Sequence, residues 1–216
     1  TESGVSSYTL YYKSATLAAG SCTNDWDASW TSLGTQSSGY NHTMTNGKCY
    51  KYYVMATNGA TLTAATTTSP TTFTKVSTSA PSVSNCSVAE GTNPQYQYQI
   101  GTTIYYNSAF TGDFAVNVTA TDTVSGIQKV NFPTLAAGFS PTSTDDTELD
   151  YSQTYSWTTG ATTAPGAKDA TITSNSGLTN TCGFTVTRDV TATASGSIIY
   201  STQYLTNVST KAAITV

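Results

Sequence analysis

The chain has 216 residues, of which only 9% are charged, and its formal net charge at pH 7 is -4. This balance excludes nucleic acid and anionic membrane as partners, because no Lys/Arg cluster is present to neutralise phosphates. No run of 18 apolar residues occurs, so we also expect no membrane span.

The predicted elements are short strands separated by turn signals. Tyr, Val, Ile and Thr recur in short runs, and Ser and Thr make up about a third of the chain, which favours an all-β protein over a disordered one. The predicted strands, in chain order, are 8–12, 49–56, 96–99, 103–106, 114–121, 127–132, 154–158, 168–173 and 184–187. Such regular punctuation is typical of β-sandwiches. The proline-bounded segment 70–81 then divides the chain into units 1–80 and 81–190, followed by a tail, 191–216.

The four cysteines are spaced as one pair per unit, and none lies in a CxxC motif. Three pairings are possible, and the local one joins Cys22 to Cys49 and Cys86 to Cys182. The alternative is four buried free thiols. Bridges closing loops of roughly 30 and 100 residues contribute on the order of 3–5 kcal/mol, and they predict a location outside the cytosol.

Internal similarity predicts two copies of one domain type. Ser3-Gly4-Val5 resembles Ser125-Gly126-Ile127 at an offset of 122 residues. The turn that ends at Gly59 resembles the turn that ends at Gly177, and these two glycines are 118 residues apart. Two motifs repeated in the same order at similar offsets indicate a repeated domain.

The tail resembles two predicted strands that precede Ser125-Gly126-Ile127. Those strands, 101–105 and 114–118, resemble the tail segments 196–200 and 212–216, and the first unit has no such strands ahead of Val5. A sandwich without them exposes apolar core and an unpaired sheet edge. We therefore expect the tail to enter the first unit of a neighbouring copy, through the alternating or apolar residues Ile198, Tyr200, Leu205, Ala212, Ile214 and Val216.

Segments 14–22 and 47–54 resemble the tandem immunoglobulin-like or fibronectin-III-like repeats of large bacterial surface proteins. Segments 125–130 and 184–189 resemble a second repeat type of the same proteins. The resemblance implies two immunoglobulin-like β-sandwiches in tandem, an extracellular or cell-surface location, and a role as spacer, adhesin or fibre.

The predicted function is a filament of identical copies joined head-to-tail by β-strand addition. One giant polypeptide that repeats this unit gives the same geometry. The competing function is an adhesin or carbohydrate-binding module. We do not expect an enzyme, because the sequence shows no carboxylate pair and no nucleophile with a base, and we interpret the lone His42 as a surface residue.

Several residues are candidate modification or metal sites. Attached glycans are predicted at the sequons Asn41, Asn85, Asn117 and Asn207 and at the hydroxyl-rich Thr66, Thr67 and Thr68, although this Thr-rich stretch also suits a strand and linker. The acidic residues Asp145, Asp146, Glu148 and Asp150 suggest calcium or a solvated loop, and we expect no other cofactor. Asp25, Trp26, Asp27 and Trp30 form either a sugar-binding rim or a loop packed over the Cys22–Cys49 bridge.

Overall fold

The computed structural model describes residues 3–66 and 70–192, together with the backbone of Ile199–Tyr200 and Ile214–Thr215. The described part of the chain is all-β, with eighteen strands and one 3-10 turn at Pro94–Tyr96. Within these residues no helix is long and apolar enough to cross a membrane.

The first unit is one antiparallel sheet. Its strands are β1 (Val5–Ala18), β2 (Ser21–Cys22), β3 (Thr31–Thr35), β4 (Lys48–Asn58), β5 (Thr63–Ala65) and β6 (Thr74–Val76). The long strands β1 and β4 pair at its centre, β2 and β3 pair with β1, and β5 and β6 pair with β4. β1 and β4 are rich in Tyr, Thr and Val, residues that suit a half-buried pleated surface.

The second unit is a β-sandwich. Its strands are β7 (Ser82–Glu90), β8 (Gln97–Ile100), β9 (Thr103–Tyr106), β10 (Gly112–Thr121), β11 (Ile127–Phe132), β12 (Phe139–Ser140), β13 (Thr144–Asp146), β14 (Ser152–Trp157), β15 (Gly166–Ser174) and β16 (Thr179–Arg188). One sheet has the order β12-β14-β10-β7 and the other β13-β11-β15-β16-β9-β8. All pairs are antiparallel except β9 with β16.

Both sheets of the second unit contribute to one core. Its largest fully buried side chains are Trp157, Tyr106, Tyr155, Phe114, Phe132 and Phe184. Alternate residues of β10 point inward, and Phe114, Val116 and Val118 are at most 2% exposed. This is the packing expected when two alternating sheet faces meet.

Two disulfides join the cysteines in the local pairing that the sequence predicted, so the alternative of free thiols is wrong. Cys22 bonds to Cys49 within the first unit, with the Cα atoms 5.9 Å apart. Cys86 bonds to Cys182 and links β7 to β16, with the Cα atoms 5.5 Å apart. β7 and β16 belong to opposite sheets, so this bridge ties the sandwich together. Two disulfides indicate a non-cytoplasmic location.

The two described tail strands, β17 (Ile199–Tyr200) and β18 (Ile214–Thr215), pair antiparallel with each other. Tyr200 lies opposite Ile214 in this pair. The other predicted donor residues lie outside the described residues: Ile198, Leu205, Ala212 and Val216.

Candidate functional site: an open sheet face

The central strand pairs of the two units, β1 with β4 and β11 with β15, have the same local geometry. In β1 and β4, Val5 pairs with Asn58, and the register then shifts by an irregularity before Ser7. In β11 and β15, Ile127 pairs with Ser174, and the same irregularity precedes Lys129. β11 therefore matches β1 at an offset of 122 residues and β15 matches β4 at an offset of 116.

The turns that follow β4 and β15 also match each other, but the matching residues lie two positions away from the alignment that the sequence predicted. Thr61 N donates to Asn58 O (3.0 Å), and Gly177 N donates to Ser174 O (2.9 Å). Thr61 and Gly177 both have positive φ, 64° and 82°. Thr61, not Gly59, is thus the counterpart of Gly177. The predicted alignment of Gly59 with Gly177 is wrong, because a threonine takes the left-handed conformation that usually favours glycine.

The matched positions differ in burial. In the second unit, Val130, Phe132, Ala170 and Ile172 face the other sheet, and each is 0% exposed. Their counterparts in the first unit are Tyr8, Leu10, Val54 and Ala56. Tyr8 is 50% exposed, and the other three are half-buried. We call these four residues of the first unit the open face, because among the described residues no second sheet covers them.

A groove of about 370 Å³ lies on the open face. Its floor is Tyr8, Leu10 and Val54, and its far wall is the 36–40 loop, which ends at Tyr40. The loop is fixed to the sheet because Gln36 N donates to Tyr8 O (2.8 Å). None of the groove residues is charged, so the site suits an apolar or hydrogen-bonding partner.

An aromatic cluster covers the same face further along the sheet. His42 Nδ1 lies 2.8 Å from Tyr52 Oη, and the His42 ring lies 4.6 Å from that of Tyr12. Tyr50 Oη accepts a hydrogen bond from Thr45 N (3.0 Å). Burial, together with the neighbouring tyrosines, raises the pKa of Tyr52 to about 12. His42 thus packs in a structural cluster and is not the isolated surface residue that the sequence predicted.

The opposite face of the first sheet is covered by the loop between β2 and β3, residues 23–30, which we call the tryptophan loop. Trp26 packs against the Cys22–Cys49 bridge beside Ala15 and Leu17, which confirms the packed-loop interpretation over a free sugar-binding rim. Lys51 Nζ lies 4.3 Å from the centre of the Trp26 ring, a cation–π contact.

The two loop carboxylates fix this loop to β1. Asp27 Oδ2 accepts from Ser14 N (2.7 Å), and Asp25 Oδ1 accepts from Thr16 N (2.9 Å). Hydrogen bonds from Thr23 and Thr16 hold the pKa of Asp25 well below its usual value. Trp30 packs edge-on against Tyr53, with ring centres 4.8 Å apart.

The predicted calcium residues do not form a metal site. Lys129 Nζ and Asn131 Nδ2 each donate to Asp145 at 2.8 Å, and these bonds lower the pKa of Asp145. Asp146 accepts from the amides of Glu148 and Ser152. No group of three His, Cys, Asp or Glu side chains comes together in the described residues. Asp145 and Asp146 lie in β13 with their carboxylates engaged by these partners, whereas Glu148 and Asp150 are exposed in the segment that follows, so the geometry favours the solvated-loop interpretation over calcium.

The predicted glycan sites differ in accessibility. Asn41, Asn85 and Thr66 are exposed, although Asn85 Nδ2 also lies 3.2 Å from Ser87 Oγ of its own sequon. Asn117 is half-buried within β10, and its Oδ1 accepts from Ser152 Oγ (2.8 Å). Three other predicted sites lie outside the described residues: Thr67, Thr68 and Asn207.

Comparison with protein-family models, with curated proteins and with solved structures found no match for this chain. The resemblance to bacterial surface repeats therefore stays a prediction from the motifs, and the function has to be argued from the open face. Sequence reasoning predicted a strand at Tyr8 and Leu10 but not which of its faces is open. The matching of Tyr8 with Val130, visible from the Ser-Gly repeat, was the available signal.

Proposed function

We propose that this protein is a structural subunit of an extracellular filament, in which the tail of one copy completes the first sheet of the next. The observation that carries the proposal is the contrast between Val130 and Phe132, which are fully buried, and Tyr8 and Leu10, their half-open counterparts. An apolar face of this kind in water favours a partner that covers it.

The tail has the pattern of the strand that does this in the second unit. There β10 lies in the facing sheet and supplies Phe114, Val116 and Val118 to the core. The tail segment 212–216 resembles β10 and places Ala212, Ile214 and Val216 at alternate positions. Alternate residues of a strand share one face, so this segment carries a matching apolar row.

The edge of the first sheet offers a place for the other tail segment. In the second unit β16 pairs with β15 on one side and with β9 on the other. β9 pairs with the Thr185–Arg188 end of β16, and β6 holds the matching place in the first sheet, because Thr74 lies opposite Tyr50 as Val186 lies opposite Gly166. β6 pairs with β4, and among the described residues no strand lies on its other side. Segment 196–200 resembles β9. Strand addition at this edge uses backbone hydrogen bonds for affinity and alternate side chains for register.

Two inserted strands give enough free energy for durable polymers. Burial of roughly 600–1,000 Å² of apolar surface gives about 15–25 kcal/mol as an upper bound, before the cost of ordering the tail. A head-to-tail contact that does not close on itself propagates into a filament. One continuous polypeptide with the same repeat gives the same contacts.

A second candidate function is carbohydrate binding, and a cleft in the second unit favours it. The cleft has a volume of about 340 Å³ and is lined by Tyr96, Tyr98 and Tyr105 together with Gln97 and Asp189. The Gln97 side chain is only 9% exposed, and its Oε1 accepts no hydrogen bond from the described residues. Aromatic rings with a few polar groups are the usual components of a sugar site.

The test of the filament uses two variants that each disable one side of the junction. Leu10→Asp places a charge on the open face, and Ile214→Asp places one on the donated strand, so neither variant alone forms filaments in electron micrographs. A mixture of the two forms dimers, because the intact tail of the Leu10→Asp copy fits the intact face of the other. Leu149→Asp is the control, since Leu149 is 86% exposed and away from both.

Boiling and a denaturing gel then distinguish separate subunits from one long chain. Separate subunits run near the 22.6 kDa mass of the chain, allowing for sugar. Wild-type material that stays as single particles, with Leu10→Asp indistinguishable from it, contradicts the filament and leaves the cleft as the better-supported site.

A further inference from the structure

The five-residue sequence Thr-Leu-Ala-Ala-Gly occurs twice, at residues 16–20 and 134–138, an offset of 118. Each copy ends in a glycine with positive φ, 78° at Gly20 and 88° at Gly138. The offset is close to those of the matched strand pairs. The first copy forms the end of β1 and the turn after it, and the second copy follows β11.

The first turn joins the two units. Ala19 N donates to Thr123 O and Gly20 N donates to Val124 O, both at 2.9 Å. A Cβ at Gly20 would lie 2.5 Å from Ser125 O, and a Cβ at Gly126 would lie 3.4 Å from the Ala19 backbone. The two backbones are therefore in direct contact, and only glycine fits at position 20.

The second turn lies at the other end of the sandwich. β11 starts beside Ser125 and Gly126 and ends at Phe132, just before this turn. Ala137 and Gly138 are exposed, and among the described residues neither amide donates a hydrogen bond. β16 also ends at this side, where Asp189 N donates to Tyr106 O (2.9 Å) before the tail begins.

The surface of the second unit that receives the first turn, Ser125 and Gly126, has a counterpart at Ser3 and Gly4, and among the described residues no turn of this kind lies against it. Gly4 and Gly126 both have positive φ, 66° and 76°. Gly4 O accepts from Gly59 N (3.2 Å), as Gly126 O accepts from Asn175 N (3.0 Å). A Cβ at Gly4 would meet nothing within 4 Å, and both Ser3 and Gly4 are exposed, whereas Ser125 is 4% exposed.

We infer that the 136–138 turn of one copy docks on Ser3 and Gly4 of the next, so that the junction between copies repeats the junction within the chain. This inference rests on the proposed filament and adds a second contact beside the inserted tail. The repeated element is the close approach of the turn glycine to the serine backbone, which joins Gly20 to Ser125 within the chain and would join Gly138 to Ser3 between copies. The acceptors that correspond to Thr123 and Val124 are Thr1 and Glu2, which lie outside the described residues. The apolar contact of Val124 with the first unit is not repeated, since its counterpart by the 122-residue offset is Glu2.

The test places a large side chain in the proposed contact. Ala137→Trp, at an exposed position of the second unit, raises the protein concentration needed for filament assembly by about tenfold or more. Leu149→Trp, equally remote from the core, changes that concentration by about twofold at most. Circular dichroism and thermal unfolding of the dissociated subunits check that both variants fold.

A paired cysteine variant tests proximity without relying on assembly strength. Ser3→Cys with Ala137→Cys gives a ladder of covalent oligomers under oxidation, whereas Thr35→Cys with Ala137→Cys gives none. Filaments that assemble normally with Ala137→Trp and show no ladder with the Ser3 pair overturn this inference and leave strand donation intact. Wild-type protein that never forms filaments overturns the proposed function and this contact with it.

Discussion

The two units share the geometry of their central strand pair and differ in what faces it. In the second unit, β10 and β14 lie against Val130 and Phe132, and the core is closed. In the first unit the matching Tyr8 and Leu10 border a groove of about 370 Å³. The same arrangement of two strands can therefore form one side of a closed core or an open surface. Which of the two it forms depends on whether the chain itself supplies the facing strands.

The residues of the two faces are adapted to these two conditions. Val130 in the second unit corresponds to Tyr8 in the first, which is 50% exposed, and tyrosine suits such a position because it combines an apolar ring with a hydroxyl that tolerates water. The small core of the first unit, around Ala15, Leu17 and Cys49, lies on the other side of the sheet and is closed by the tryptophan loop. The first sheet is thus stabilised on one side and keeps the other available.

Removing the disulfides has the largest expected effect on the stability of the two units. Loss of the bridge between Cys86 and Cys182, 96 residues apart, lowers the free energy of unfolding by about 4–5 kcal/mol in the chain-entropy model. Loss of the bridge between Cys22 and Cys49, 27 residues apart, costs about 3.5 kcal/mol in the same model. Urea unfolding of the two double Cys→Ala variants measures both, and a larger loss from the shorter loop contradicts this ranking.

Truncating matched side chains to alanine compares the closed core of the second unit directly with the open face of the first. Phe132→Ala removes a fully buried ring and costs about 3–5 kcal/mol, whereas Leu10→Ala in the dissociated subunit costs about 1 kcal/mol, because its side chain is already half in water. In assembled material the Leu10→Ala cost rises, since the tail then covers the face. Chemical denaturation of the dissociated subunit measures both costs. Equal costs contradict the comparison and show that the open face is already closed without a partner.

The junction between the units has a predicted acid dependence through Asp122. Partial burial raises the pKa of Asp122, but hydrogen bonds from Ser125, Val124 and Gly126 outweigh it, and the pKa lies below its usual value. The carboxylate therefore contributes stability above about pH 4, and this contribution is lost as the pH falls through the folded-state pKa.

Asp122→Asn tests that dependence. At neutral pH the variant loses about 1 kcal/mol, the usual contribution of a side chain that caps backbone amides. The difference from wild type shrinks towards acid pH, where Asp122 becomes protonated. Thermal unfolding across the pH range measures it, and a difference that stays constant contradicts the role of the charge.

Calcium has the smallest expected effect. Asp145 is engaged by Lys129 and Asn131, and Asp146 by two backbone amides. Millimolar calcium therefore leaves the unfolding midpoint of the chain unchanged, because a ligand stabilises only the state that binds it. A midpoint that rises with calcium and loses the rise in Asp146→Asn restores the metal site.

The sequence predicted the positions of many strands, because alternation is strong where a strand packs on a core. The segments 103–106 and 127–132 have the predicted bounds. Ser82–Glu90 was not predicted, since its Ser and Asn residues face outward and its inward row is only Val83, Cys86 and Val88. Thr144–Asp146 was interpreted as part of an acidic loop or calcium site, yet it is a strand, in which Asp145 lies opposite Asn131 and forms an ion pair with Lys129.

The site was less predictable than the strands. Alternation in β1 and β4 gives two possible inner faces, and both carry tyrosines. Only the matched burial of Val130 and Phe132 shows which face of the first unit resembles a core. The exposed Ala137 and Gly138 turn carries no hydrophobic signal, so only its verbatim repeat of residues 19 and 20 marks it.

The most direct test of the account is a cryo-electron microscopy reconstruction of native material at side-chain resolution. The account predicts filaments in which residues 196–216 of each copy cover Tyr8, Leu10 and Val54 of its neighbour, and in which all junctions between sandwiches look alike. Single particles of one chain, or filaments in which Tyr8, Leu10 and Val54 stay exposed to solvent, contradict it.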